Sequence, residues 1–349
     1  MRIPFWIILT AGVAEIFLIG GCTSLLKTPA SPEQIRPVKA AADSVAVYYL
    51  TGWGERNKAR MEDWRVRPSQ TPLFGPYSSA DPAAADRHIT TALENGINTF
   101  IIPATRPAKK YPWQAKFEKG LLRSRYFDRI RFAMLFSNVF WWDGPFDGTN
   151  RKDHTYETVS YIARNYFSYP NYLRVEDRPV IMLFEANRFR DRCGLAELRR
   201  LVADIRSAAR KEGYAVYVIG DIVTSFYDDR LNRESIRIFD AVTAYMIEEA
   251  GSRWTFPDGV PTVISPYAEM VKGYIHDNRY FFELASGTGT GFIPAAATGF
   301  DNSVVYEAGI DTWLVRRTEP SPELYGKLLR SITPFIARPR VVIVGAWNE

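Results

Sequence analysis

The chain has 349 residues, 46% hydrophobic and 14% aromatic, which suits one large globular domain. Its net charge of +5, from 44 Lys+Arg against 39 Asp+Glu, is spread without a basic stripe and argues against a nucleic-acid partner. Two cysteines, Cys22 and Cys193, build neither a disulfide framework nor a CxxC metal site, and three widely spaced histidines argue against a zinc centre.

In chain order, the N-terminus comes first. Arg2 precedes a largely apolar run, Ile3 to Ile19, and Ile19-Gly20-Gly21-Cys22 has the small residues a signal peptidase needs before a lipidated cysteine. Glu15 interrupts the apolar run at an electrostatic cost. The expectation is a lipoprotein signal peptide over 1–21 with lipidation at Cys22; an uncleaved anchor is the alternative. Either way the remainder is exported and tethered to a membrane. Residues 22–42, with Pro29, Pro32 and Pro37, read as a linker, and 43–349 as the folded domain.

From there, short β-branched or aromatic runs alternate with helical patterns. Candidate strands are Val45–Leu50, Asn98–Ile102, Arg131–Phe136, Val180–Phe184, Ala215–Ile219, Ala241–Tyr245, Gly291–Ala296 and Val341–Ala346. Between them, Asp81-Pro82 caps a helix with Ala85, Ile89, Ala92 and Leu93 on its apolar face and a stop at Gly96. Residues 195–211 put Leu195, Leu198, Leu201, Val202 and Ile205 on one stripe, and Ser321-Pro322-Glu323 opens a helix burying Leu324, Leu328 and Ile332. Near-continuous apolar strands alternating with amphipathic helices predict a parallel sheet. Eight of them predict closure into an α/β, (β/α)8 TIM barrel. The eighth strand runs into the last residue, so the barrel is expected without its last helix.

Barrel sites sit where strands end. That gathers Tyr49, Trp53, the Phe136–Trp142 stretch, Glu185, Asp221, Tyr245, Asp301 and Trp347–Glu349 around one mouth. Glu185 follows the fourth strand directly and is a candidate acid or base; a rim salt bridge with Arg188 or Arg190 is the competing reading, and Asp221 has the same standing. Trp141 and Trp142 offer aromatic faces for sugar stacking or plain packing. His88, on the apolar face of its helix, reads as a hydrogen-bonded core residue. The Gly287–Gly291 glycine run precedes a strand and lacks dinucleotide-loop spacing, so it reads as a loop. Cys193 has no partner pattern of a nucleophile.

Several motifs together resemble the family-99 glycoside hydrolases: Val47-Tyr48-Tyr49, Gly75-Pro76-Tyr77-Ser78-Ser79-Ala80-Asp81-Pro82 leading to His88, Ile293-Pro294…Thr298-Gly299-Phe300-Asp301, and the ending Ala346-Trp347-Asn348-Glu349. The resemblance runs from about Val45 to Glu349. It implies an endo-acting, retaining hydrolase of α-mannose-type glycans or polysaccharides, with no metal or organic cofactor and a carbohydrate partner. Glu349 would be the base toward the substrate's own 2-hydroxyl. Tyr49, Tyr245, Asp301, Trp347 and Asn348 would shape the sugar subsite. Two departures stand out. The family's general acid would fall at position 352, so either the chain is part of a longer protein or it lacks that acid. In addition, Phe136-Ser137-Asn138-Val139-Phe140-Trp141-Trp142-Asp143 replaces an acid-bearing segment on the third strand, with Ser137, Asn138 or Asp143 as stand-ins for its sugar-contacting carboxylate. A carbohydrate-binding lipoprotein without catalysis, or a glycosyltransferase of surface-polysaccharide assembly, are the alternatives.

Overall fold

The computed structural model of the chain describes residues 44–54, 72, 74–104, 113–136, 148–222, 229–243, 245 and 253–348. The expected eight strands are all present: β1 (Ser44–Tyr48), β2 (Thr99–Ala104), β3 (Arg131–Phe136), β4 (Arg178–Leu183), β5 (Tyr217–Asp221), β6 (Ala241–Thr243), β7 in two halves (Gly291–Ile293 and Ala295–Ala297) and β8 (Val341–Gly345). Every neighbouring pair is parallel, from β1–β2 round to β8–β1. The ring closes through β7. Its first half pairs with β6 and its second with β8. Pro294 lies between the halves and has no N–H to offer either ladder, while its carbonyl accepts from Ile343 N at 3.0 Å. The structure is a parallel (β/α)8-type barrel.

Strand residues are buried on both faces, against the barrel interior and against the helices, which is why the strands read as continuous apolar runs. The helices are α1 (Pro82–Glu94), α2 (Trp113–Lys119), α3 (Gly148–Tyr166), α4 (Ala186–Cys193), α5 (Leu195–Lys211), α6 (Asp229–Ile236), α7 (Tyr267–Ser286), α8 (Ser303–Glu307) and α9 (Pro322–Ile332). Asp81 caps α1 by accepting from Ala83 N at 2.9 Å, and Ser321 caps α9 by accepting from Leu324 N. On α5 the stripe Leu198, Leu201, Val202 and Ile205 is buried, each side chain contributing roughly 1.5–3 kcal/mol.

Among the described residues, three strands lie outside the ring. Arg174–Val175 makes an antiparallel edge on β4, and Thr262–Pro266 pairs in parallel with Leu314–Thr318 in a separate two-stranded sheet. The second pair belongs to the excursions after β6 and β7, so it flanks the end of the barrel where strands finish. Among the described residues no helix is long and apolar enough to cross a membrane.

Candidate functional site at the C-terminal end of the barrel

Five barrel strands, β1, β4, β5, β6 and β8, contribute to one cluster at the end where strands finish. Tyr48 closes β1 and Asp221 closes β5, with the Tyr48 hydroxyl donating to Asp221 Oδ2 at 3.3 Å across the interior. The Tyr245 ring, two residues beyond β6, packs on Tyr48 with centroids 4.1 Å apart. Gly345 of β8 also lies against this ring, and any Cβ there would fall inside van der Waals contact of Tyr245 Cε2. Glycine is therefore required there to admit the ring.

Glu185 follows β4. It is a non-glycine residue in the left-handed region (φ 49°, ψ 45°), and its carboxylate receives Arg188 Nη1 at 2.7 Å. Backbone of this kind costs on the order of 1 kcal/mol and is tolerated where surrounding structure imposes it. Arg190 turns away, donating to Asn232 Oδ1 and Ser235 Oγ on α6. Asp221 is fully enclosed. Burial pushes its carboxyl well above the usual range, and the negative Glu185 adds to this; the Tyr48 hydroxyl, the Tyr245 N–H and Arg188 pull the other way. Two carboxyl groups with different surroundings thus meet at the ends of adjacent strands.

The β1 end splits the adjacent tyrosines between two layers, because successive strand residues face opposite ways. Tyr48 points into the barrel. Tyr49 points outward: its hydroxyl is bonded to His88 Nδ1 of α1 at 2.8 Å, its ring stacks on Phe100 at 4.6 Å, and burial raises its hydroxyl pKa. His88 is the core histidine expected, held neutral because burial, helped by Arg87, pushes it down to about 3. Tyr77 and Trp347 pack edge-on to the same imidazole. Trp347 and Asn348 therefore sit beside Tyr49 in a layer between the barrel and α1. Asn348 is a clasp: its Oδ1 accepts from Leu50 N at 2.7 Å, and its Nδ2 donates to Leu50 O at 2.9 Å and Tyr77 hydroxyl at 2.8 Å. The Trp53 indole donates to the Asn348 carbonyl, while Lys116 of α2 holds the Gly52 and Trp53 carbonyls.

Asp301 lies after β7 but is tied to the outer sheet, accepting from Ser303 N at 2.9 Å and lying 3.5 Å from Arg316 Nε. Trp141, Trp142, Glu349 and Cys22 lie outside the described residues, as do the third-strand stand-ins Ser137, Asn138 and Asp143. Reading the sequence missed Tyr48 as the inward tyrosine and placed Asp221 beyond the fifth strand. The alternation through Val45 and Val47 held the clue to the first, since Tyr49 shares their face and Tyr48 does not. A separate open groove of about 360 Å³ lies outside the barrel between α5 and α6, lined by Arg199, Arg206, Glu234 and Arg237. Arg206 there pairs with Asp240, which precedes β6, so the groove is at the opposite end from the carboxylates. No group of His, Cys, Asp and Glu among the described residues is placed to hold a metal ion.

The overall fold is similar to solved glycoside hydrolase barrels. The GH99 endo-alpha-mannosidase from Bacteroides thetaiotaomicron superposes with a TM-score of 0.58 at 14% identity, covering 88% of this chain and 85% of that one. The same enzyme with BIS-TRIS-propane gives 0.57. A structure described as a glycoside hydrolase-like protein gives 0.60 at 16% identity, covering 97% of this chain and 89% of that one. No protein-family model and no curated protein matches the sequence.

Proposed function

We propose that this protein is a glycoside hydrolase acting on α-mannose-type glycans, cutting within the chain with retention. The observation that carries this reading is the convergence of Tyr48, Glu185, Asp221 and Tyr245, separated by up to about two hundred residues, on the end of the barrel where such folds do their chemistry. The likeness in fold to the endo-alpha-mannosidase and the terminal Trp347-Asn348-Glu349 motif add the substrate class and the linkage.

In this reading Glu349 takes the proton of the substrate's 2-hydroxyl, whose oxygen then attacks the anomeric carbon as the bond to the leaving oxygen breaks. A protonated carboxyl delivers the proton that the leaving oxygen gains. Water then opens the three-membered intermediate with restored configuration. Glu185 faces the same mouth as a second carboxylate, and Tyr245 supplies an aromatic wall. Asn348 acts by fixing the segment that carries Glu349. Asp301 and the pair Trp141–Trp142 would contact more distant sugar units, and Cys22 would carry the lipid that holds the protein at the cell envelope.

The test is turnover of an α-mannan and of a high-mannose glycan by the full-length protein, with the product anomer followed by NMR. Glu349→Gln and Glu185→Gln should each lower kcat by about a hundredfold or more, a typical general acid–base contribution. Binding without turnover in the unmodified protein would replace hydrolysis by carbohydrate binding alone. Affinity for a nucleotide sugar would point to a transferase. For the tether, Cys22→Ala should abolish membrane association; persistence of membrane association in that variant would remove the lipidation.

A further inference from the structure

The buried carboxyl of Asp221 has no task in the scheme above, and its surroundings are unusual. It is closed off from solvent at the base of the mouth and forms no ion pair among the described residues, while its neighbour Glu185 holds Arg188 at 2.7 Å. One oxygen meets the Tyr48 hydroxyl; the other, Oδ1, has no hydrogen-bond partner among the described residues. Thr243, in register with Asp221 on the adjacent strand, likewise leaves its hydroxyl unpartnered among the described residues. Among the described residues, the groups acting on Asp221 are the Tyr48 hydroxyl from β1, Glu185 and Arg188 from the β4 end and the Tyr245 backbone N–H from the β6 end. Only one of these is a cation, and it is bonded to the other carboxylate.

An ionised carboxylate in that position would be shut off from solvent beside a like charge, with the Tyr48 hydroxyl and the Tyr245 N–H as its donors and one oxygen left without a donor among the described residues. The burial, the like charge and the missing donor disfavour the anion. A neutral acid removes the repulsion and keeps the Tyr48 contact. Environments that push two neighbouring carboxyls apart in this way divide them into an acid and an anion.

We propose that Asp221 is a positioning residue that carries a proton at neutral pH: it fixes the Tyr48 hydroxyl under the Tyr48–Tyr245 ring stack and leaves Glu185 as the charged member of the Glu185–Asp221 pair. This rests on the carbohydrate reading only for the use made of the mouth. The direction of the Asp221 shift, raised by burial and by Glu185, agrees with it.

The test is infrared difference spectroscopy of the full-length protein at pH 7, with carboxyl-13C aspartate separating aspartate bands from glutamate bands. A protonated-carboxyl C=O band that disappears in Asp221→Asn is expected; loss of a carboxylate band alone would overturn the proposal. Should Asp221→Asn not fold, the labelled unmodified protein still decides, because absence of any protonated aspartate band at pH 7 also overturns it. In activity, Asp221→Asn should lower kcat by less than tenfold and leave the acid limb of the kcat/KM profile in place, while Asp221→Leu, which cannot hold Tyr48, loses far more. If Asp221 were instead ionised, its removal would ease ionisation of Glu185 and move that limb to lower pH. The infrared result needs no turnover, so a protein that shows the band and cleaves nothing keeps the proton on Asp221 and loses the hydrolase reading.

Discussion

At Gly345 a methyl group would collide with the Tyr245 ring, which is already backed by Tyr48. Gly345→Ala should therefore displace Tyr245 and destabilise the fold by about 1–3 kcal/mol, the usual penalty for overpacking, with a loss of sugar affinity read by calorimetry. The pH dependence is set partly by His88. Its folded value of about 3 lies below the ordinary histidine value, so the folded state favours the neutral ring. The stability linked to it is complete above the unfolded value near 6.5 and is lost as pH falls toward 3, by roughly 1.4 kcal/mol per pH unit. Urea unfolding at pH 7 and pH 4 should show that loss in the unmodified protein and a smaller one in His88→Gln. Equal losses in the two would remove this account of His88.

The helices that cover the barrel were legible because their signals are local. Asp81 before Pro82, Ser321 before Pro322, and the Leu198–Ile205 stripe each fix an element from within a few residues. Leu201→Ala, which empties a fully buried site between α5 and the sheet, should cost about 2–5 kcal/mol in urea unfolding, and Asp81→Ala about 1 kcal/mol. Strand ends were less legible. The fifth strand finishes two residues later than its apolar run suggests, because Gly220 and Asp221 continue the ladder to Val242 and Thr243 without adding to the hydrophobic pattern. The outer strand Leu314–Thr318 escaped notice for a similar reason: Arg316 and Arg317 mask its β character, and pairing with Thr262–Pro266 supplies what the pattern lacks.

On the scale of the whole molecule, eight alternating repeats identify a barrel, and the strand-end rule then names the loops that share its mouth. What the repeats cannot convey is which of those side chains turn inward. Asn348 and Tyr77 are 271 positions apart and only the folded ring makes them partners. The Asn348 clasp joins the end of β8 to the loop after β1, so it secures the seam of the ring. Asn348→Ala should leave the Leu50 N–H unsatisfied and destabilise by about 1–3 kcal/mol in urea unfolding, without altering the helical content seen by circular dichroism. The site is thus part motif and part topology: Glu185 and Asp221 were visible as candidates, and their pairing, with Tyr48 as the link, belongs to the closed sheet.

The most direct measurement is a crystal structure of Glu185→Gln with an α-mannose oligosaccharide. A sugar seated at the β-strand C-terminal ends against Tyr245, with its scissile linkage beside residue 185, is the expected result. A sugar bound in the outer groove between α5 and α6, or an empty mouth at millimolar ligand, would contradict it.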